Sequence, residues 1–290
     1  MVMCGSGYSQ SQDSLLSKAY EMKSNVLLDK FFENWRMEKT PITDEEYAKL
    51  KDAEKDVYDI FYEFYTPKDL SRLRLEDFEY KLYKNVKYFV VEPKIKYRIL
   101  NSTNYDSLYN ELLNDYDSLF ISNWKRSKKD TTAYSFFIEY YEDNFYQGLL
   151  NKDLFYIHVK KDSINNFRPR ISDKTSRLLY FSLDYNNLLS NFIGNDIVPW
   201  GTNGIMQTAF ADSLSQLKID FLYSNIFIMA SHWGNYWEIQ TSPKVFNIDF
   251  TNDRKFAKVS YAFPYHQGYS IFEKRNGKWF FIIDYFGIMW

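Results

Sequence analysis

The run SHWGNYWEIQTSP, residues 231–243, crowds a histidine, two tryptophans, a tyrosine and a glutamate together. An imidazole beside a carboxylate is the elementary acid–base unit. The carboxylate orients the ring, and the ring moves a proton near neutral pH. His232 with Glu238, or with Asp249 of the following run VFNIDF, could supply that pair, with Tyr236 as a hydrogen-bond donor. The same residues also suit a structural strand that buries its indoles. Alternation bears on the choice. If the chain folds back at 241–244 as a hairpin, Trp237 faces Ile248 and Ile239 faces Phe246 on an apolar side. His232, Tyr236 and Glu238 then share the other side with Asn247 and Asp249. That side is either open to water or the wall of a cavity under a helix. Because spacing does not fix the distances an acid–base pair needs, the structural strand is the expectation.

A second group lies in PYHQGYS, residues 264–270. Pro264 and Gly268 suggest a strand end with a bulge, which would bring Tyr265, His266 and Tyr269 to a sheet rim. With Trp200 of VPWGTNG these rings could form an aromatic surface for a sugar or a peptide. The simpler expectation is that they are turn residues. Aromatic residues make up 20% of the chain, and Asn, Lys, Ile, Tyr and Phe are abundant together, so composition bias explains part of this richness. The rest is available as contact area, because rings cover much surface at low entropic cost.

The elements that must carry these groups read as α+β. Leu15, Ala19, Met22, Val26, Phe31 and Trp35 recur at helical spacing, predicting a helix over 14–37 that Thr40-Pro41 ends. Thr43 with Glu46 is a capping box opening a second helix to about Tyr65, so an antiparallel helical hairpin is expected. NVKYFVVEPKIKYRIL is strand-like and interrupted by Pro93, hence one edge strand or two short ones. A helix is expected over 105–120 and a strand at LFYIHVK. NNFRPR reads as a loop and SRLLYFS as a strand. LDYNNLLSNFIG reads as a helix capped by Ser182 and ended by Gly194. Five strand candidates follow, and Asn276-Gly277 between the last two is a hairpin turn signal. The last strand, KWFFIIDYF, is apolar on both faces and should be buried on both, Trp279 included. The fold class is α+β: a helical N-terminal half, then an antiparallel meander packed by helices. Three regions are expected: a leader at 1–12, a helix-rich region at 13–170, and a sheet region at 171–290, the last two either separate or one continuous domain.

Composition removes several functions. A net charge of −2 offers no global field for a phosphate backbone, and the cluster Lys125, Arg126, Lys128, Lys129 runs straight into Asp130. No nucleic-acid partner is expected. No apolar run is long enough for a transmembrane segment. With three histidines (His158, His232, His266), one cysteine and neither HExxH nor CxxC, no metal site and no cofactor are expected. A nucleophile elbow, a P-loop and a dinucleotide fingerprint are also missing. Gly7 and Ser9 fit the small-residue positions of a signal-peptidase site, so residues 1–9 read as the tail of a secretory leader and the chain as exported, to the periplasm or outer envelope. Lipid anchoring through Cys4 is the weaker alternative, since Met3 is large for the position before it.

The set His232-Trp233-Gly234, Tyr236-Trp237, Thr241, Pro243, Gln267-Gly268 and Asn276-Gly277-Lys278-Trp279, with terminal Trp290, resembles a family of exported bacterial proteins to which no activity is attached. The likeness spans residues 178–290 at most. The order of helix and meander is similar to the cystatin-like superfold that includes nuclear transport factor 2, in architecture alone. Some enzymes of that superfold hold acid–base groups inside a cone-shaped cavity. The expected function is a non-enzymatic binding or scaffolding module of the bacterial envelope, with a sugar, peptide or protein as ligand. The alternative is a small-molecule enzyme built around His232 in such a cavity.

Overall fold

The computed structural model describes residues 6–70, 86–100, 159–194, 213–230, 237–241, 243–251, 253–263 and 266–288. The expectations placed on Lys125 to Lys129, on the helix at 105–120 and on most of LFYIHVK lie outside them.

The stripe over 14–37 folds as two helices, α1 (Ser6–Glu21) and α2 (Asn25–Glu38), which pack on each other. The break falls at Lys23, whose φ of 48° no helix accommodates, and Ser24 then caps α2 by accepting from the Leu27 N–H at 3.3 Å. This corrects the single-helix expectation. With the chain turned back, Leu28, Phe31, Phe32 and Trp35 stay inside while Met22 and Val26 point outward, 62% and 78% exposed. Helix α1 already includes residues expected in a leader, and Gln12 near its middle is buried.

The Thr43–Glu46 capping box forms in both directions. Its helix α3 (Asp44–Ala48) stops as the bonds tighten to Lys49 N–Glu46 O and Leu50 N–Tyr47 O. Helix α4 (Asp52–Phe64) starts afresh, with the Glu54 carboxylate accepting from the Lys51 N–H. The expected helical hairpin is not what forms. Helices α2 and α4 serve two different cores.

Pro93 separates two short strands, β1 (Tyr88–Val91) and β2 (Ile95–Leu100). Then come β3 (Val159–Ile164), β4 (Arg177–Tyr180), α5 (Leu183–Ile193), α6 (Ser213–Tyr223), β5 (Ile228–Ala230), β6 (Trp237–Ile239), β7 (Lys244–Phe250), β8 (Phe256–Phe263), β9 (His266–Arg275) and β10 (Lys278–Ile288). The main sheet has the order β10-β9-β8-β7-β2-β3 and is antiparallel except where β2 runs parallel to β7. Strand β1 pairs in parallel with β4, and β5 pairs with β6. Residues before and after position 170 therefore share both the main sheet and the β1–β4 pair.

One core lies between the inner face of the main sheet and α4, drawing on Ile60, Phe61, Phe64, Ile248, Val259 and Phe272. The other gathers α1, α2, α5 and α6 around Leu28, Phe32, Trp35, Leu189 and Leu222. Strand β1 divides them, Phe89 and Val91 facing the first and Tyr88 and Val90 the second. Alternation explains this: a strand buried on both faces has no polar side to offer water. In the second core the Trp35 ring stacks on Tyr185 at 4.3 Å, and its Nε1 donates to the Tyr180 carbonyl.

Helix α5 begins and ends as expected. Ser182 caps it, accepting from the Tyr185 N–H, and Gly194 follows with φ 84°. Ser182→Ala should lower stability by about 1 kcal/mol, measurable by urea denaturation. Between α2 and β1, Glu33 accepts from the Tyr88 hydroxyl and pairs with Arg36 and Arg177. Burial alone would raise this carboxyl. The hydrogen bonds from Arg36 and Tyr88 and the two guanidinium charges outweigh that and hold it below the usual carboxylate range, while burial and Glu33 push Tyr88 up to about 12. A lowered folded pKa contributes stability above the unfolded pKa that is lost as pH falls through the folded one. Glu33→Gln should therefore flatten the dependence of the melting temperature on pH on the acid side of about pH 4.5, and a parallel slope in the variant would refute this.

Candidate functional site

Two of the residues singled out from sequence, Asp249 and Tyr269, are described with their side chains. They lie on the same, outer face of the main sheet. His232, Tyr236, Trp200 and Tyr265 lie outside the described residues. Of Glu238 and His266 only the backbone is described: Glu238 pairs with Met229 in the β5–β6 sheet, and His266 opens β9 opposite Phe263.

The hairpin expected between residues 237 and 248 does not form, and with it goes the alignment of Glu238 with Asp249. Strand β6 pairs with β5, and Ile239 enters the helical core, whereas β7 pairs with β8 and β2 and puts Ile248 in the sheet core. The intervening turn is instead tied to the end of β1. Thr241 Oγ1 donates to Glu92 at 3.2 Å, and Lys244 pairs with the same carboxylate at 2.9 Å. A shallow depression beside them, lined by Phe61, Tyr65, Glu92, Phe167 and Lys244, has room for roughly one water molecule.

Asp249 is 4% exposed, and its partner is Arg98. The parallel register of β2 and β7 sets the two directly opposite, and the guanidinium grips the carboxylate with two parallel hydrogen bonds, from Nε to Oδ1 and from Nη2 to Oδ2, the latter 2.7 Å. Asn247 adds a third bond from its side-chain N–H at 2.6 Å. A fork-to-fork pair of this kind fixes position as well as charge.

Across β7 and β8, Asp249 faces Lys258, and the Lys258 ammonium lies 4.9 Å from the centre of the Tyr269 ring. The row Asn247, Ser260, Tyr269 runs beside it. Nearer the β9–β10 turn, Phe256, Glu273 and Phe280 stand side by side on three neighbouring strands, with both rings exposed. Arg275 donates to Glu273 Oε2 from Nε at 2.8 Å and also from Nη2, and its guanidinium carbon is 5.9 Å from the Phe280 ring centre. The burial expected for both faces of β10 thus holds for one. Trp279 is 3% exposed, but Phe280 and Ile282 open to solvent at 44% and 41%. This end of the outer face thus sets exposed rings beside hydrogen-bonding groups.

The inner face differs in kind. Asp56 of α4 accepts from Lys274, from Trp279 Nε1 at 3.1 Å and from Arg254 at 3.1 Å. Asp284 accepts from the Tyr261 hydroxyl and from Ser270. Burial and the Asp284 charge push the Tyr261 hydroxyl far above its ordinary range, so it acts as a donor at all working pH values. These groups lie among core side chains, Tyr261 and Ser270 fully enclosed. Sequence reading missed Arg98, Lys258, Phe256, Glu273, Arg275 and Phe280. For FAKVSYAF the signal was present, since alternation sets Phe256, Lys258 and Ser260 opposite Ala257, Val259 and Tyr261. Among the described residues, no helix is long and apolar enough to cross a membrane, and no three potential metal ligands converge. No protein-family profile, no curated protein and no solved structure matches the chain.

Proposed function

We propose that this chain is a non-enzymatic binding module of the bacterial envelope that engages its ligand with the outer face of the main sheet. The observation that carries this reading is the row Phe256–Glu273–Phe280, two exposed rings flanking a polar residue on three adjacent antiparallel strands. Solvent-facing rings beside hydrogen-bonding groups are the composition of contact surfaces. Tyr269 and Lys258 extend the same face. The enzyme alternative around His232 needs a carboxylate to orient the imidazole, and one of its two candidates, Asp249, already holds Arg98 and Asn247. Export is proposed with it, from Gly7 and Ser9 and from the resemblance to exported proteins, and a fused reporter active only outside the cytoplasm tests it. Co-sedimentation of the purified chain with bacterial envelope fractions tests binding. Sedimentation should be strong for the native chain and largely lost in a Phe256→Ala, Phe280→Ala double variant. Equal sedimentation of the two would sink the assignment to this face.

A further inference from the structure

We infer that the β8–β9–β10 end of the outer face is a platform for a neutral, extended, β-linked oligosaccharide; this rests on the binding-module reading above. Phe256 and Phe280 are each paired directly with Glu273, so they lie two strands apart. Neighbouring strands are about 4.8 Å apart, which puts the ring positions roughly 9.5 Å from one another. That is about one disaccharide unit of an extended β-linked chain, in which alternate sugars present the same face. Two such sugars would lay their apolar C–H faces on Phe256 and Phe280, and the sugar between them would cross Glu273.

The polar groups there fit hydroxyls. Both Arg275 bonds end on Glu273 Oε2, and among the described residues Oε1 receives no donor. An acceptor and a guanidinium edge thus lie together, matching sugar hydroxyls that donate and accept at once. Charge selects among occupants. Glu273 is neutralised by Arg275, and next to Phe256 the Lys255 ammonium is paired with Asp253 at 3.4 Å. A pair of exposed rings whose one intervening carboxylate is already matched favours a neutral polyol over a basic peptide. The Arg275 guanidinium over the Phe280 ring restrains that ring in place.

The test is a set of NMR titrations of the full chain with cellohexaose and chitohexaose, both neutral and β-linked. Maltohexaose serves as a curved, α-linked control, and a pool of extended peptides as the competing class. At least one β-linked hexasaccharide should bind and shift the amides of Phe256, Glu273 and Phe280, with weaker binding of maltohexaose. Phe256→Ala and Phe280→Ala should each weaken binding about fivefold or more, as loss of one stacking ring implies. Phe280→Tyr, which keeps the ring, should bind like the native chain and separates lost stacking from lost folding. Failure of both β-linked sugars, or unchanged affinity in the alanine variants, overturns the glycan assignment. If the peptide pool shifts the same amides while the sugars do not, the binding-module reading survives without it. Silence from sugars and peptides alike removes both.

Discussion

Trp279→Ala should destabilise the chain by about 3–5 kcal/mol in denaturant unfolding, the usual cost of emptying a large ring from a packed core. The indole is 3% exposed, lies 5.8 Å from the Phe250 ring and has the Lys274 ammonium 5.4 Å from its centre. Its N–H donates to Asp56, so the substitution also takes a hydrogen bond from a buried carboxylate. Phe280, the next residue, faces the other way, and Phe280→Ala should change stability by less than about 1 kcal/mol. A similar loss in both variants would mean that the two faces of β10 are not different in kind.

Asp56→Ala should cost about 3 kcal/mol, the low end for breaking a buried ion pair. Asp56 is 2% exposed and joins α4 to three points of the meander at once: Arg254 after β7, Lys274 on β9 and Trp279 on β10. Without it Lys274 loses its counter-charge, and Arg254 keeps only the exposed Asp52 carboxylate at 3.5 Å. Both keep partial access to water, with side chains 29% and 27% exposed, which sets the figure at the low end. Asp56→Asn keeps an acceptor for the indole N–H and should cost less. Because Asp56 and Trp279 touch, the combined variant should be less damaged than the sum of the singles, by about 1 kcal/mol. Simple additivity would show that the indole–carboxylate bond contributes nothing.

Much of the fold is legible in sequence where the signal is local. Ser182 and Gly194 bracket α5, Asn276 and Gly277 both take positive φ to turn β9 into β10, and Pro93 separates two strands. The break at Lys23 is not legible. No glycine or proline marks it, and the apolar spacing runs through it without a gap. Partnership over distance is equally hidden. Alternation gives the face of Ile248 and of Asp249 but not the neighbour of their strand: proximity in sequence points to β6, whereas β2, from far earlier in the chain, pairs with β7. The candidate site shows the same limit. Asp249 stood out as a carboxylate near aromatic residues, yet its partner Arg98 is 151 positions away, and no spacing rule reaches that far. Phe280 was hidden differently, inside the apolar run Trp279–Ile283, where burial on two faces and burial on one look alike.

If Asp249 belongs to Arg98 and serves the sheet, it should have no hold on His232. An NMR titration of the His232 ring protons in the native chain and in Asp249→Asn measures this directly. The predicted result is a pair of superimposable curves, with the variant paying only in stability. A fall of about one unit in the His232 pKa on removing the Asp249 charge, the size expected for a carboxylate in contact with an imidazolium, would contradict it and restore an acid–base pair to this protein.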